Sequence, residues 1–412
     1  MKNKKIIIVG AGPAGLMAAV TAARAGNKVT VYEQLPRPGA KLLASGGGKC
    51  NITNNLPLQC FPDKFGRQGR FMLPALKKLS PAELCEYFSS HGVETVSDDG
   101  FHIFPASKRA TDVLEVFLRE CEKLNVRIIV STTVRQLAID NTEKKVLGVL
   151  VGNELFEAEK VIVATGGMGY PALGGRGIGY ALAEQAGHAI IEPVPAMTGL
   201  KTVEAWPGQC AGISFDNASA CIDLPKLRKQ TSRGELLFTH NGVSGPAVID
   251  FAGEISRLKA KHHDIPMLIN FFADKDKNFW SGEFAKWRRD SGKKHIKNLL
   301  SAYMPNAVAE VFCSEYCDIA SVKAAEITAD ARENLINLLT GVPLHISGTE
   351  GWNKAMVTRG GVSLKMVSPH SLESKLVKGL FFAGEVLDLD GPCGGYNLQW
   401  AFSSGFLSGC DV

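Results

Sequence analysis

The chain has 412 residues, 45% of them hydrophobic, and carries 46 Lys and Arg against 41 Asp and Glu, a net charge of +5. At roughly 150 residues per domain this is room for two or three domains, and the apolar share excludes a disordered chain. The small, scattered basic surplus gives no reason to expect nucleic acid or an anionic membrane as the main partner. Only Cys313 and Cys317 of the ten cysteines are close in sequence, which argues against a disulfide framework or a zinc site and fits reduced thiols in the cytoplasm.

Met1–Lys5 is basic and Ile6–Ala23 uncharged, a combination that imitates a signal peptide. Gly10, Gly12, Pro13 and Gly15 interrupt the run where a leader needs a continuous apolar helix, so a cytoplasmic protein is expected. Ile6–Val9 reads as a parallel strand buried on both faces. Gly10-Ala-Gly12-Pro13-Ala14-Gly15 follows it, and Leu16–Ala25 reads as an Ala-rich helix ended by Gly26. Gly10 permits the tight turn, Gly12 lets backbone approach a pyrophosphate, and Gly15 lets helix and strand pack closely. A diphosphate then rests on the free N–H groups and positive end of the helix. Lys28–Glu33 is the next strand. Glu33 stands 18 positions after Gly15, placed to accept both ribose hydroxyls and to repel a 2′-phosphate. The ligand so specified is FAD or NAD.

Pro38–Asn54 holds Lys41, the run Gly46-Gly47-Gly48, Cys50 and Asn51. Leu43 and Cys50 occupy positions that a Walker A loop gives to Gly and Ser/Thr, so this is no such loop. Its three glycines expose N–H groups suited to a phosphate or a flavin edge. Leu76–His91 and Thr111–Leu124 read as amphipathic helices, and Val126–Ser131 and Val146–Val151 as strands. Pro193 and Pro195 mark an exit from this domain. Short strands broken by Gly and Pro follow, including Pro266–Phe272, and then helices over Ile296–Met304, Val308–Cys313 and Ala331–Leu339.

On these residues the chain resembles the BaiN/YhiN-type flavoproteins, known as NAD(P)/FAD-dependent oxidoreductases of the glutathione-reductase-like FAD superfamily. Phe101–Ser107, Lys160–Gly167, Glu192–Ala196, Leu237–Pro246, Val357–Val362, Gly379–Asp388 and Gly394–Ala401 extend the resemblance nearly end to end. It implies an α/β fold with a Rossmann-like FAD-binding domain of residues 1–191 and 350–412. The inserted domain spans 192–349, β-barrel-like over 192–279 and helical over 280–341. The implied protein is an oxidoreductase that holds FAD non-covalently and moves a hydride between flavin and an organic small molecule, with steroid-like enones as a suggested class. Flavin-dependent RNA modification or binding and amine oxidation are the alternatives. NAD(P)H is expected only as a transient co-substrate, because no second Gly-x-Gly-x-x-Gly joins a strand to a helix.

Gly10, Gly12, Pro13, Ala14, Gly15 and Glu33 are expected to hold the ADP half of the cofactor. By resemblance Gln34, Lys41, Gly47, Asn51, Val134, Thr165, Gly166, Gly384, Glu385, Gly395, Asn397 and Leu398 line the rest. The resemblance also directs the start of a helix over Tyr396–Leu407 at the N1–C2 edge of the flavin, where its dipole favours negative charge. Two departures from the family pattern bear on this pocket, Gly174–Gly179 in place of a Thr/Ser-Gly-Asp-Gly-like turn and Cys393 where Thr is common.

His240 is a candidate acid/base and Cys50 a candidate redox thiol, each with a structural alternative. The Trp280–Lys297 segment, with Trp287, Arg288, Arg289, Lys293 and Lys294, reads as a solvated helix face and not as a nucleic-acid surface. His262-His263 and Cys313/Cys317 lack partners at zinc spacing, so no metal is expected. Neither a membrane nor a nucleic acid is the expected partner.

Overall fold

A computed structural model describes residues 3–412; Met1 and Lys2, the start of the basic Met1–Lys5 stretch, lie outside it. The chain divides into two compact units, one running to Pro195 and resuming over Met356–Val412, the other spanning Ala196–Ala355. The divisions thus fall a few residues after the expected 191 and 349.

The first unit is built on five parallel strands. Its labelled elements in chain order are β1 (Lys5–Val9), α1 (Pro13–Arg24), β2 (Lys28–Tyr32), β3 (Thr53–Asn54), β4 (Thr95–Val96), β5 (His102–Pro105), α2 (Ala110–Lys123), β6 (Arg127–Ile129), β7 (Lys160–Val163), β8 (Val357–Val362), β9 (Leu380–Phe382) and α3 (Tyr396–Asp411). The sheet order is β9-β7-β1-β2-β6, with Ile8 opposite both Val31 and Ile162 and Ile162 opposite Phe381. Ile8, Val31, Ile162 and Phe381 are fully buried, as central parallel strands require. β3, β5 and β4 form a small antiparallel sheet in the order β3-β5-β4, and Gln136–Glu157 forms a three-stranded antiparallel sheet.

One expected helix is two. Leu76–His91 breaks into Leu73–Lys78 and Pro81–Ser90, because Ser80 caps the second piece and Glu83 returns a bond to its backbone. Pro81 sits at the first helical position, where its missing N–H costs nothing. At the other end of the chain α3 runs four residues beyond the expected Leu407, to Asp411. It packs along α1 at backbone distance: a Cβ on Gly405 would overlap the Ala14 carbonyl, and one on Gly409 would meet Ala18.

The second unit is a closed antiparallel barrel of six strands with helices attached. Around the barrel the order is Leu200–Thr202, Gly242–Ser244, Thr231–Thr239, Ser214–Ile222, Ile265–Asn270 and Val342–Thr349. Closure removes the sheet edges. Trp280 and Trp287 of the helix Lys277–Asp290 are buried in one core with Phe238 and Phe271, whereas Arg288 and Arg289 face solvent. The two tryptophans are core residues and unavailable for base stacking. Among the described residues no helix is long and apolar enough to cross a membrane.

Candidate functional site: two turns at the ends of one sheet

The turn between β1 and α1 is fixed by backbone. Gly15 lies so close to Gly10 that a Cβ would overlap the Gly10 carbonyl, and Gly10 in turn crowds Ala164 and Thr165 of the turn after β7. Gly12 differs. It caps α1 without any side-chain hydrogen bond, and a Cβ there would point into open space with nothing within 4 Å. The first N–H groups of α1 therefore face outward with no side-chain cap, and Pro13 leads the helix. Glu33 is 8% exposed and accepts from the Ala11 N–H at 2.7 Å and the Leu35 N–H at 2.8 Å. Its carboxylate is thus locked at the end of β2 by one oxygen on each side, and each oxygen keeps lone-pair capacity for a further donor. Gln34 donates to the Gly174 carbonyl at 2.7 Å, while its buried Oε1 has no partner.

The turn before α3 is fixed by side-chain amides. Gly395 has φ of 84° and its missing Cβ leaves room for the Thr53 backbone. Asn54, fully buried, donates to the Gly394 carbonyl at 2.6 Å and accepts from the Leu56 N–H at 3.0 Å. Asn51, with its amide turned to satisfy both ends, donates to the Thr53 and Ile103 carbonyls and accepts from the Gly395 N–H at 3.0 Å. Asn397 both accepts from and donates to Gly391 at 2.8 Å. Asn51 and Asn397 are thus braces of this turn. α3 starts on Gly395, whose lack of a side chain leaves the cap to the backbone, and the positive end of the helix dipole lies at this turn.

Between these turns the Lys41 ammonium pairs with Glu385 at 2.8 Å, and the other Glu385 oxygen accepts from the Thr358 N–H at 2.8 Å. The Thr358 hydroxyl accepts from the N–H groups of Met168 and Gly169, and any Cβ on Gly167 would overlap it. Gly384 accepts from the Trp400 indole at 3.2 Å and donates to Ser404, which joins the β9 turn to α3. Gly47 and Gly166 have positive φ and open space where a side chain would stand. Thr165 is held at the end of β7 with its buried hydroxyl unpartnered. Val134 is buried against the first unit's core and Leu398 is half-buried on α3.

The two candidate catalytic side chains belong to different units. Cys50 is fully buried, and desolvation pushes its thiol up to about 12, so it packs and carries no thiolate at neutral pH. His240 is exposed at a hairpin turn of the second unit. Sequence reasoning missed Asn54 and Thr358, whose roles depend on which backbone they meet. It also missed a bidentate pair between Arg359 and Asp390 at 3.0–3.2 Å and the Gln68 bond to Asp388 at 2.8 Å. Arg359, Asp388 and Asp390 lie inside or beside segments that carried the resemblance, so their position was visible and their pairing was not.

These residues fit FAD. The N–H groups at the start of α1 suit a diphosphate, the locked Glu33 suits a ribose, and the positive end of α3 suits a ring that gains negative charge when reduced.

Comparison with known proteins supports the same class. The chain is 31% identical to the ribosomal RNA dihydrouridine synthase of Haemophilus influenzae, over 98% of each chain. It is also 31% identical to the 3-dehydro-bile acid delta(4,6)-reductase of Clostridium scindens, again over 98% of each. Its fold is similar to that of the 3-ketosteroid delta1-dehydrogenase of Sterolibacterium denitrificans, with a TM-score of 0.54, 12% identity, and coverage of 98% of this chain and 99% of that one. A family model described as the HI0933-like protein Rossmann domain matches residues 4–411, and the chain accordingly belongs to the HI0933-like family and is an FAD-dependent oxidoreductase.

Proposed function

We propose that the protein is a reductase that saturates a C=C bond conjugated to a carbonyl, acting on an organic small molecule of the enone class. One observation carries the reading: two relatives at equal identity have names that describe a single chemistry. A 3-dehydro-bile acid delta(4,6)-reductase saturates bonds conjugated to a 3-keto group, and a dihydrouridine synthase saturates the uracil double bond conjugated to its carbonyl. Bound FAD supplies the hydride for such a reaction. The protein holds the ADP half through Gly10, Gly12, Pro13, Ala14, Gly15 and Glu33. Lys41, Gly47, Thr165, Gly166, Gly384 and Glu385 edge the remainder of the proposed cofactor site. The N–H groups at the start of α3 offer fixed positive potential without a titrating group, a preorganised arrangement that needs no rearrangement during the reaction. NAD(P)H, binding transiently, is the proposed source of electrons.

A second reading is favoured by the name of the Haemophilus relative: the same saturation performed on a uracil within ribosomal RNA. One experiment separates them. The FAD-loaded protein, reduced without oxygen, is mixed either with a 3-keto-4-ene steroid or with ribosomal RNA lacking dihydrouridine, and flavin reoxidation and product mass are followed. Reoxidation with a saturated steroid supports the first reading. Dihydrouridine in the RNA with an inert steroid replaces it with the second, and no reoxidation by either overturns both.

A further inference from the structure

Saturating a conjugated C=C takes a hydride at the β-carbon, which the reduced flavin supplies, and a proton at the α-carbon, which the protein must supply. We infer that His102, held by Asp99, is the group that supplies it; the inference rests on the reductase reading above.

Phe101–Ser107 is a segment of the resemblance to which no role was attached. It forms β5, whose first residue His102 lies opposite Asn54 of β3. Asn54 is the residue that clamps the Gly394 carbonyl, so the sheet that fixes the turn before α3 also delivers a histidine to it. The ring arrives with a defined orientation. Its Nδ1 lies 2.5 Å from one Asp99 oxygen, and the other oxygen accepts from the Phe101 and His102 N–H groups at 2.9 and 2.8 Å. A carboxylate with three donors on it can only accept, so Nδ1 carries a proton and Nε2 is the free face of the ring. That face looks at the turn: a Cβ built on Gly394 would lie 3.4 Å from Nε2. The Phe101 ring packs edge-on against the imidazole, 5.0 Å between centroids, and Phe104 lies beyond at 6.4 Å.

The surroundings suit proton delivery. The hydrogen bond from His102, with the two backbone N–H groups, holds the Asp99 carboxyl well below the usual carboxylate range. It therefore stays ionised beside the ring. The nearby charged side chains of the segment before β5 and just after it are Asp98 and Lys108, which pair with each other at 2.6 Å. β3 contributes the neutral Asn54, and the turn and α3 contribute the titratable side chains Cys393 and Tyr396. The His102 side chain is 37% exposed, so water can return a proton after each cycle.

The step balances. The hydride reaches the β-carbon, the C=C electron pair moves to the carbonyl oxygen as an enolate, and the Nε2–H proton of the His102 imidazolium passes to the α-carbon. Solvent then reprotonates the neutral ring. Asp99 acts through His102 and is a positioning residue.

The test uses the FAD-loaded full chain, His102→Gln and Asp99→Asn. Substrate-driven reoxidation of the reduced protein is expected to slow at least about 100-fold in His102→Gln, with FAD content, melting temperature and reoxidation by oxygen unchanged. Asp99→Asn is expected to displace the pH profile of the step to lower pH without removing its limb, which a merely structural role would not do. A readout free of turnover accompanies it. In protein labelled with 13C-histidine, the ring signal missing from His102→Gln should move when the substrate, a 3-keto-4-ene steroid or the RNA, binds the oxidised protein. A His102→Gln variant as fast as the parent, or a ring signal indifferent to a substrate that the parent reduces, overturns the inference and leaves the reductase reading standing. A parent that reduces neither a steroid enone nor RNA overturns the reading itself, and this inference with it.

Discussion

Two helix starts, α1 and α3, edge the proposed cofactor site and are built in different ways. Both are capped by glycine and neither has a side-chain cap. Around α1 the backbone excludes everything else, with Gly15 against Gly10 and Gly10 against Ala164. Around α3 the turn also requires glycine, since a Cβ on Gly395 would overlap the Thr53 carbonyl, but the amides of Asn51, Asn54 and Asn397 brace it as well. Steric exclusion is local and tolerates one residue type at each position. An amide clamp draws on residues 340 positions apart and has no spacing of its own.

The largest effect should come from the sterically closed turn. Gly15→Ala drives a methyl into the Gly10 carbonyl and should cost about 1–3 kcal/mol or more, visible as insoluble protein or a melting point lowered by several degrees. Gly12→Ala sharpens the contrast, because its Cβ meets nothing. The apoprotein should melt within about 0.5 kcal/mol of the parent yet retain much less FAD after gel filtration. Equal damage from both would mean that Gly12 is a packing glycine.

Next comes an acid-dependent effect behind α1. Glu120 of α2 pairs with Arg24 at 2.6 Å and Lys123 at 2.9 Å, and the Lys123 bond, followed by Arg24, lowers its carboxyl to about 2. The folded value lies below the unfolded one, so this stability is present above about pH 4.5 and fades as pH falls toward 2. Glu120→Gln should lose about 1.5–3 kcal/mol at neutral pH, and its melting curve should converge on that of the parent in acid. A gap that stays constant down to pH 2 would show that the charge is not what matters.

On the α3 side, Asn54→Ala leaves the Gly394 carbonyl without its donor and should cost about 1–3 kcal/mol, with FAD fluorescence rising as the turn loosens. If FAD fluorescence and retention are unchanged, the amide clamp does not shape the cofactor site. The smallest effect is expected for Lys41→Met, about 1 kcal/mol or less, because the pair with Glu385 is partly exposed and Glu385 keeps its bond from Thr358.

The same contrast explains what could be read in advance. Ile6–Val9, the glycine turn and Glu33 lie within 28 residues, and each position has a single physical reason for its residue type, so strand, helix and cradle were legible. Lys41 and Glu385 were reached by resemblance, but their mutual ion pair depends on where β9 ends beside the Ala40–Ala44 helix. Asn54 and His102 were illegible as site residues, since an Asn on a two-residue strand and a His opposite it acquire meaning only when β3 and β5 pair. The single helix expected over Leu76–His91 failed for a local reason: the Ser80–Glu83 capping box outweighed the hydrophobic period.

The close seating of α3 on α1 also sets an order of events in folding. Gly405 meets Ala14, and β9 joins β7 only after the second unit, Ala196–Ala355, has intervened in the chain. Closing so long a loop is entropically slow, whereas the barrel forms from contacts within one continuous segment. In refolding, tryptophan burial at Trp280 and Trp287 should precede the gain of FAD affinity, with the second unit acquiring its core while the cofactor cradle still awaits its last helix.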